Sequence, residues 1–203
     1  MSRLVTFGCS YTFGQGLVDC HIDPDMPGPK PSKFAWPDLL ANMLNLDVIN
    51  CSIPGSSNLH ILWRLINFKF EPDDLCVIMW TFFSRTPFTT LKYDPSDIGW
   101  NDYDNRFKNH LSVIEAENIV IQNTITFHHA FSHLENQKIK HLMCIGSVDY
   151  LIHKVPNIEI PSLDKDIIVN KFRKDIALDK KHPGPQSHQA LAKEIFNKLY
   201  VIR

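Results

Sequence analysis

Apolar residues in this chain gather into short runs separated by longer stretches with helical spacing. Leu4–Phe7, Val48–Ile53, Leu75–Trp80 and His141–Ile145 are each too short for a helix and read as buried strands. From Phe34 to Leu46, Trp36, Leu39, Leu40, Met43 and Leu44 recur on one helical face, and Pro37 fits a first turn. Ser57 to Phe68 repeats the pattern with Leu59, Leu62, Trp63 and Ile66, and Ser56 or Ser57 supplies a cap. Asn105 to Leu134 reads as a long helix weakened by the β-branched stretch Ile119–Ile125. A last helix runs from about Ser187 to Leu199, with Leu191, Ile195 and Leu199 aligned. Strands alternating with helices predict an α/β fold around a mainly parallel sheet.

In such sheets, sites form beyond the C-terminal ends of the strands. Ser10, Gly55 and Thr81 each follow the end of an expected strand. Two stretches lack regular pattern. Asp19–Ser32 holds Pro24, Pro27, Gly28, Pro29 and Pro31, and Thr86–Asn105 holds Pro87, Pro95 and Gly99. Long loops at this edge shape substrate pockets. No internal repeat divides the chain, and residues 1–203 are expected to form one domain.

Composition narrows the classes. With 44% hydrophobic and 21% charged residues, the chain is globular and large enough to bury a core without disulfides or metal. A net charge of −1 gives no basic field for nucleic acid or for an anionic membrane, so neither is expected as a partner. Lys174, Lys180, Lys181 and His182 make only a local patch, with its lysines read as solvated surface. Cys9, Cys20, Cys51, Cys76 and Cys144 are odd in number and show no CxxC spacing, which argues against a zinc site or disulfide framework. The N-terminus passes directly into a strand without a long apolar leader, and no apolar run reaches the ~20 residues of a membrane helix. A soluble, cytoplasmic or phage-encoded protein is expected.

The chemistry-bearing residues are Ser10, Asp179 and His182. A serine hydroxyl is a weak nucleophile until a base takes its proton, and an imidazole base needs a carboxylate to fix its tautomer. Asp179 and His182 stand three residues apart, close enough to touch on one turn. Each also has an ordinary reading: Ser10 as a helix cap after a strand, and Asp179 with His182 as a surface ion pair. Gly8, Gly14 and Gly16 suggest a phosphate loop, but the spacing fits neither phosphate-binding pattern and no Lys-Ser/Thr follows. His128, His129 and His133 offer an i, i+4 pair, yet no metalloprotease glutamate accompanies them, so they read as partly exposed helix histidines. Trp36, Trp63 and Trp80 read as core aromatics, and Trp100 as loop packing or a sugar platform.

Three segments together resemble the SGNH, or GDSL-type, hydrolase superfamily. Phe7-Gly8-Cys9-Ser10-Tyr11-Thr12-Phe13-Gly14 is similar to its first block, which carries the nucleophilic serine. Asn50-Cys51-Ser52-Ile53-Pro54-Gly55-Ser56-Ser57-Asn58 is similar to the second, whose glycine N–H binds the oxyanion. Asp179-x-x-His182-Pro183 is similar to the fifth, which holds acid and base. The third block departs: where Gly-x-Asn-Asp is usual, this chain reads Trp80-Thr81-Phe82-Phe83-Ser84-Arg85. A literal Gly99-Trp100-Asn101-Asp102 lies some twenty residues beyond the strand and reads as coincidence. The Phe-Gly-Cys-Ser block with a Trp-Thr strand end is similar to variants encoded by bacteriophages and some bacteria.

The resemblance implies a three-layer α/β/α sandwich with a flavodoxin-like sheet, and ester hydrolysis through an acyl-enzyme without metal or organic cofactor. Ser10 would attack, His182 would serve as general base and Asp179 would orient it. The N–H groups of Ser10 and Gly55 would face the oxyanion, with Thr81 or Arg85 in place of the missing asparagine. Asn58 and Arg85 are candidate substrate contacts. The expected substrate is a small-molecule or glycan ester, with O-acetyl groups preferred and thioesters or lysophospholipids open. Two other classes compete: a non-catalytic carbohydrate-binding or structural module that keeps the fold, and a nucleotide binder that shares it.

Overall fold

A computed structural model of the protein describes residues 2–22, 26–83, 85, 113–146 and 163–201. The elements in chain order are β1 (Arg3–Phe7), α1 (Ser10–Phe13), β2 (His21–Ile22), β3 (Met26–Pro27), α2 (Trp36–Leu44), β4 (Asp47–Asn50) and α3 (Asn58–Ile66). They continue with β5 (Leu75–Trp80), α4 (Val113–Asn136), β6 (Lys140–Ile145), β7 (Leu163–Ile168), a 3-10 turn (Val169–Phe172) and α5 (Pro185–Val201). Five strands form one sheet in the order β4-β1-β5-β6-β7, and every neighbouring pair is parallel.

Strand alternation sends successive side chains to opposite faces, and both faces are apolar, as a sheet covered on two sides requires. Val5 and Phe7 of β1, Cys76, Ile78 and Trp80 of β5, and Met143 and Ile145 of β6 pack on one face against Ile61 and Leu65 of α3 and Phe127 and Leu134 of α4. Leu4, Val77, Met79, Leu142 and Cys144 fill the other against Trp36 and Leu40 of α2 and Leu191 and Ile195 of α5. The result is a three-layer α/β/α sandwich.

Local chemistry sets the helix ends. Ser57 caps α3 by accepting from the His60 N–H at 3.3 Å, as its position promised. α2 starts at Trp36 with Pro37 in its first turn and stops at Asn45, whose φ of +54° cannot continue a helix. Trp63 departs from expectation: it is 56% exposed rather than in the core, because α3 buries Ile61, Leu62 and Leu65 instead. β4, expected over Val48–Ile53, ends at Asn50. The chain then stays against β1 through Cys51 N–H to Thr6 O (2.8 Å) and Ile53 N–H to Gly8 O (3.3 Å). The loop after the serine contains the small β2–β3 pair, and β7 adds a strand that the charged sequence Leu163-Asp164-Lys165-Asp166 concealed. The loop 86–105, with Trp100 and the literal Gly-Trp-Asn-Asp, and the first part of the long helix expected from Asn105 lie outside the described residues. Among the described residues, no helix is long and apolar enough to cross a membrane.

Candidate active site

β1 ends at Phe7, and the turn through Gly8 and Cys9 delivers Ser10 as the first residue of α1. Glycine is required at position 8, because a Cβ there would stand 2.0 Å from Thr12 Oγ1 and 3.2 Å from Met79 O. α1 lasts one turn before Gly14, at φ +80°, terminates it. Among the described residues the N–H of Ser10 donates no hydrogen bond, as expected of a first-turn donor.

Asp179 and His182 arrive on a tight loop before α5. Ala177 N–H donates to His182 O (2.9 Å), Lys180 N–H to Ala177 O (3.0 Å) and Gly184 N–H to Asp175 O (3.2 Å). Asp175 anchors the base of this loop: its carboxylate accepts from the Gln186 and Ser187 N–H groups, both at 2.9 Å, and from Ser187 Oγ at 2.6 Å. Leu178 N–H reaches Gly16 O at 2.9 Å, which ties the loop to the segment after the serine. At Gly16, φ is +85° and a Cβ would fall 2.5 Å from Asp179 Cγ. The glycines that a phosphate loop would have explained are therefore places of close backbone approach.

The loop brings His182 Nε2 to 2.9 Å from Ser10 Oγ and His182 Nδ1 to 2.5 Å from Asp179 Oδ2. Asp179 Oδ1 accepts from the N–H groups of Lys181 and His182, each at 3.0 Å. Burial pushes the Asp179 carboxyl up, but these two N–H donors and the imidazole together hold it below the usual range, so it is ionised at neutral pH. The His182 imidazole is lowered, first by burial and then by the charges of Arg85 and Lys181, with Asp179 opposing. It is therefore neutral at pH 7. With Nδ1–H given to Asp179, Nε2 presents a lone pair to the Ser10 hydroxyl, which is the arrangement proton abstraction requires. Ser10 is only 3% exposed, so the hydroxyl sits at the floor of its site.

The second-block segment flanks the serine. Gly55 has φ +81°, and among the described residues its N–H donates no hydrogen bond. Arg85 Nη1 donates to Ser56 O at 3.3 Å, the guanidinium lies 5.5 Å from the Phe82 ring centroid, and its charge reaches His182 and Tyr11. Tyr11, not singled out by sequence reasoning, stands edge-on to the His182 ring with centroids 5.5 Å apart. Its place next to Ser10 was the available signal.

Two candidates have other work. Asn58 is 1% exposed and its amide is engaged within the protein: Oδ1 accepts from Thr81 N–H (2.8 Å), while Nδ2 donates to Thr81 O (3.2 Å) and Asn123 Oδ1 (2.7 Å). It ties α3 to the end of β5. The same bond occupies the Thr81 N–H, leaving only a buried hydroxyl with no partner among the described residues. Asn123 completes the tie by donating to Phe83 O (3.1 Å) and Ile119 O (2.8 Å). Sequence reasoning missed it within the β-branched stretch. His128 and His129 are exposed and His133 half-buried on α4, and among the described residues no group of three His, Cys, Asp or Glu could hold a metal.

No family model matches the chain, and no curated protein is significantly similar in sequence. Solved structures share its fold. An aryl esterase from M. smegmatis superposes with a TM-score of 0.55 over 100% of both chains at 10% identity. A protein assigned to the G-D-S-L lipolytic family from Desulfitobacterium hafniense gives 0.52 at 11% identity, covering 96% of this chain and 98% of its own. The acetyl xylan esterase Est2A from Butyrivibrio proteoclasticus gives 0.59 at 16% identity over 98% of this chain, which spans only 63% of that longer protein. The architecture is thus the SGNH hydrolase fold.

Proposed function

We propose that the protein is a serine esterase that transfers an acyl group from a carboxylic ester to water. One observation carries the reading: Ser10 Oγ, His182 and Asp179 lie in one hydrogen-bonded series, 2.9 Å and 2.5 Å, although the serine and histidine are separated by 172 residues. A chance surface ion pair has no reason to aim its imidazole at a serine so far away in the chain. The esterases and the G-D-S-L protein that share the fold support the same class.

In the first half-reaction, His182 Nε2 takes the Ser10 proton as Oγ adds to the ester carbonyl. Asp179 holds the imidazolium that forms. The oxyanion faces the N–H groups of Ser10 and Gly55, and the protonated His182 then gives its proton to the leaving alcohol. Water enters, His182 removes a proton from it, and the tetrahedral intermediate collapses to release the acid and restore Ser10 Oγ–H. The Ser10 proton leaves on the alcohol and one from water replaces it, so the three side chains are restored with no net oxidation or reduction. For the substrate we favour O-acetyl groups of a glycan, supported by the acetyl xylan esterase among the fold's relatives and by the polar, aromatic loops of the sequence.

The test is hydrolysis of p-nitrophenyl acetate by the wild type beside Ser10→Ala and His182→Ala, followed by acetylated xylan. Ser10→Ala is expected to fold normally and to lose at least about 10⁴-fold in turnover. A folded Ser10→Ala protein with wild-type turnover would remove Ser10 from the mechanism. If the wild type neither hydrolyses esters nor reacts with a fluorophosphonate at Ser10, the reading fails in favour of a binding module.

A further inference from the structure

The segment that carries Gly55 is fastened to the serine turn by a polar cluster whose cation the mechanism above does not use. Arg64, half-buried on the last turn of α3, extends Nη2 to Ser56 Oγ at 2.7 Å and to Gly8 O at 3.4 Å. Ser56 Oγ donates in turn to Ile53 O at 2.8 Å, so this hydroxyl accepts from the guanidinium and donates along its own turn. Gly8 O also accepts from Ile53 N–H at 3.3 Å, and Ser56 O accepts from Arg85 Nη1 at 3.3 Å. One cation therefore spans two backbone segments, each beside an oxyanion donor: Gly8 lies just before Cys9-Ser10, and Ser56 follows Gly55.

We propose that Arg64 is a positioning residue for the oxyanion hole, fixing the Gly55 N–H relative to the Ser10 N–H through Ser56. The inference rests on the esterase reading for its catalytic meaning. Three physical points support it. Charge-assisted hydrogen bonds are roughly twice as strong as neutral ones, so this link resists the thermal spread that blunts a hole built on loops. The sequence after β5 has Thr81-Phe82 where the resembled family carries its asparagine, and the Thr81 N–H is taken by Asn58, so among the described residues two backbone donors are left to face the oxyanion. Donor placement then weighs more, because stabilisation depends on donors aimed beforehand at the place where charge develops. Of the two acceptors on Nη2, the Ser56 hydroxyl at 2.7 Å is the nearer, so the path from Arg64 to Gly55 runs through it.

The experiment compares wild type with Arg64→Lys, Arg64→Met, Ser56→Ala and the Arg64→Met/Ser56→Ala pair, using p-nitrophenyl acetate kinetics and the rate of fluorophosphonate labelling. Arg64→Met is expected to lower kcat about 10- to 50-fold with KM within about twofold, since the lost alignment matters only once the oxyanion forms. The acid limb of the pH profile, set by His182, should not move. Arg64→Lys should recover a good part of the loss, and the double variant should be no worse than Arg64→Met alone, because both changes cut one connection. Unchanged kcat in Arg64→Met, equal changes in kcat and KM, or additive losses in the pair would each overturn the proposal. If Arg64→Met fails to fold, Ser56→Ala, which leaves α3 intact, cuts the same connection and decides the matter by its kcat. Should the wild type neither turn over esters nor label, the esterase reading falls, and the Gly55 amide signal in a ¹⁵N–¹H spectrum decides the clamp alone. A Gly55 signal shifted in Arg64→Met, with those of the 175–184 loop in place, keeps the structural link; an unmoved signal ends it.

Discussion

The two sides of the site are held by different means. The loop bearing Asp179 and His182 is held largely by itself: its backbone bonds join residues within 175–184 apart from the tie of Leu178 N–H to Gly16 O, and Asp175 fastens its base to the first turn of α5. The Gly55 side is assembled from a distance, with Ser56 held by Arg64 from the end of α3 and by Arg85 from beyond β5, and with Asn58 bonded to Thr81 and Asn123. The first is local and mostly backbone, so it depends on few groups outside itself, Gly16 among them. The second depends on side chains from several elements and is more easily disturbed. Local closure is written in one short motif; the side chains that brace Gly55 and Ser56 from elsewhere add nothing to the motif Asn50–Asn58.

The contrast can be sharpened by substitutions on each side. Beyond the loss expected for Ser10→Ala, the largest effect belongs to Asp179→Asn. It keeps the shape but can place the wrong tautomer on His182, and kcat should fall roughly 10³- to 10⁴-fold with the melting temperature little changed. A loss of only a few-fold would mean that the backbone alone orients His182. Gly16→Ala comes next. A Cβ 2.5 Å from Asp179 Cγ at φ +85° must push the acid–base loop away, so we expect about 1–3 kcal/mol of destabilisation and a lower kcat. Thermal unfolding and steady-state rates measured together would check it; wild-type values in both would show that the loop gives way freely.

A smaller effect concerns what lies beneath the loop. His188, 2% exposed on α5, accepts the Trp36 N–H at 3.1 Å through Nδ1, and burial lowers its pKa from 6.5 to about 4, with Asp175 opposing and His182 adding to the fall. Between pH 6.5 and about 4 the unfolded chain binds a proton here that the folded chain does not, so stability is full above 6.5 and drains as pH falls. The whole window amounts to about 3 kcal/mol. His188→Gln, which keeps an acceptor without the titration, should flatten this part of the stability curve in denaturant titrations at pH 7, 5.5 and 4.5. An unchanged slope would locate the acid sensitivity elsewhere.

The same contrast explains what was legible in the sequence. The strands Leu4–Phe7, Leu75–Trp80 and His141–Ile145 were visible because a doubly covered parallel strand is apolar on both faces, and β7 was not because its run is broken by charge. Asp179 and His182 could be found by spacing, since their contact lies within one turn. The work of Asn58, Asn123 and Arg64 could not. An asparagine beside a proposed oxyanion loop looks like a substrate contact, and only the approach of β5 to α3 reveals that its amide is engaged inside. Trp63 misled for a related reason: helical spacing names a stripe but does not say where the stripe ends.

The separation of Ser10 from His182 has a consequence for synthesis. β1 lies inside the sheet, between the edge strand β4 and the central β5, and Ser10, just after it, leaves the ribosome well ahead of His182. The histidine follows 172 residues later. At ~5–20 residues per second, a growing chain carries an unarmed serine for roughly ten to thirty seconds. On the proposed mechanism the hydroxyl is throughout that interval no more reactive than any other, and a chain interrupted there cleaves no ester. Under the proposed mechanism, activity waits until the 175–184 loop has been made and has closed on Ser10 and Gly16. On the esterase reading proposed above, an ester-cleaving assay would double as a report that translation has passed that loop and that the sheet has formed beneath it.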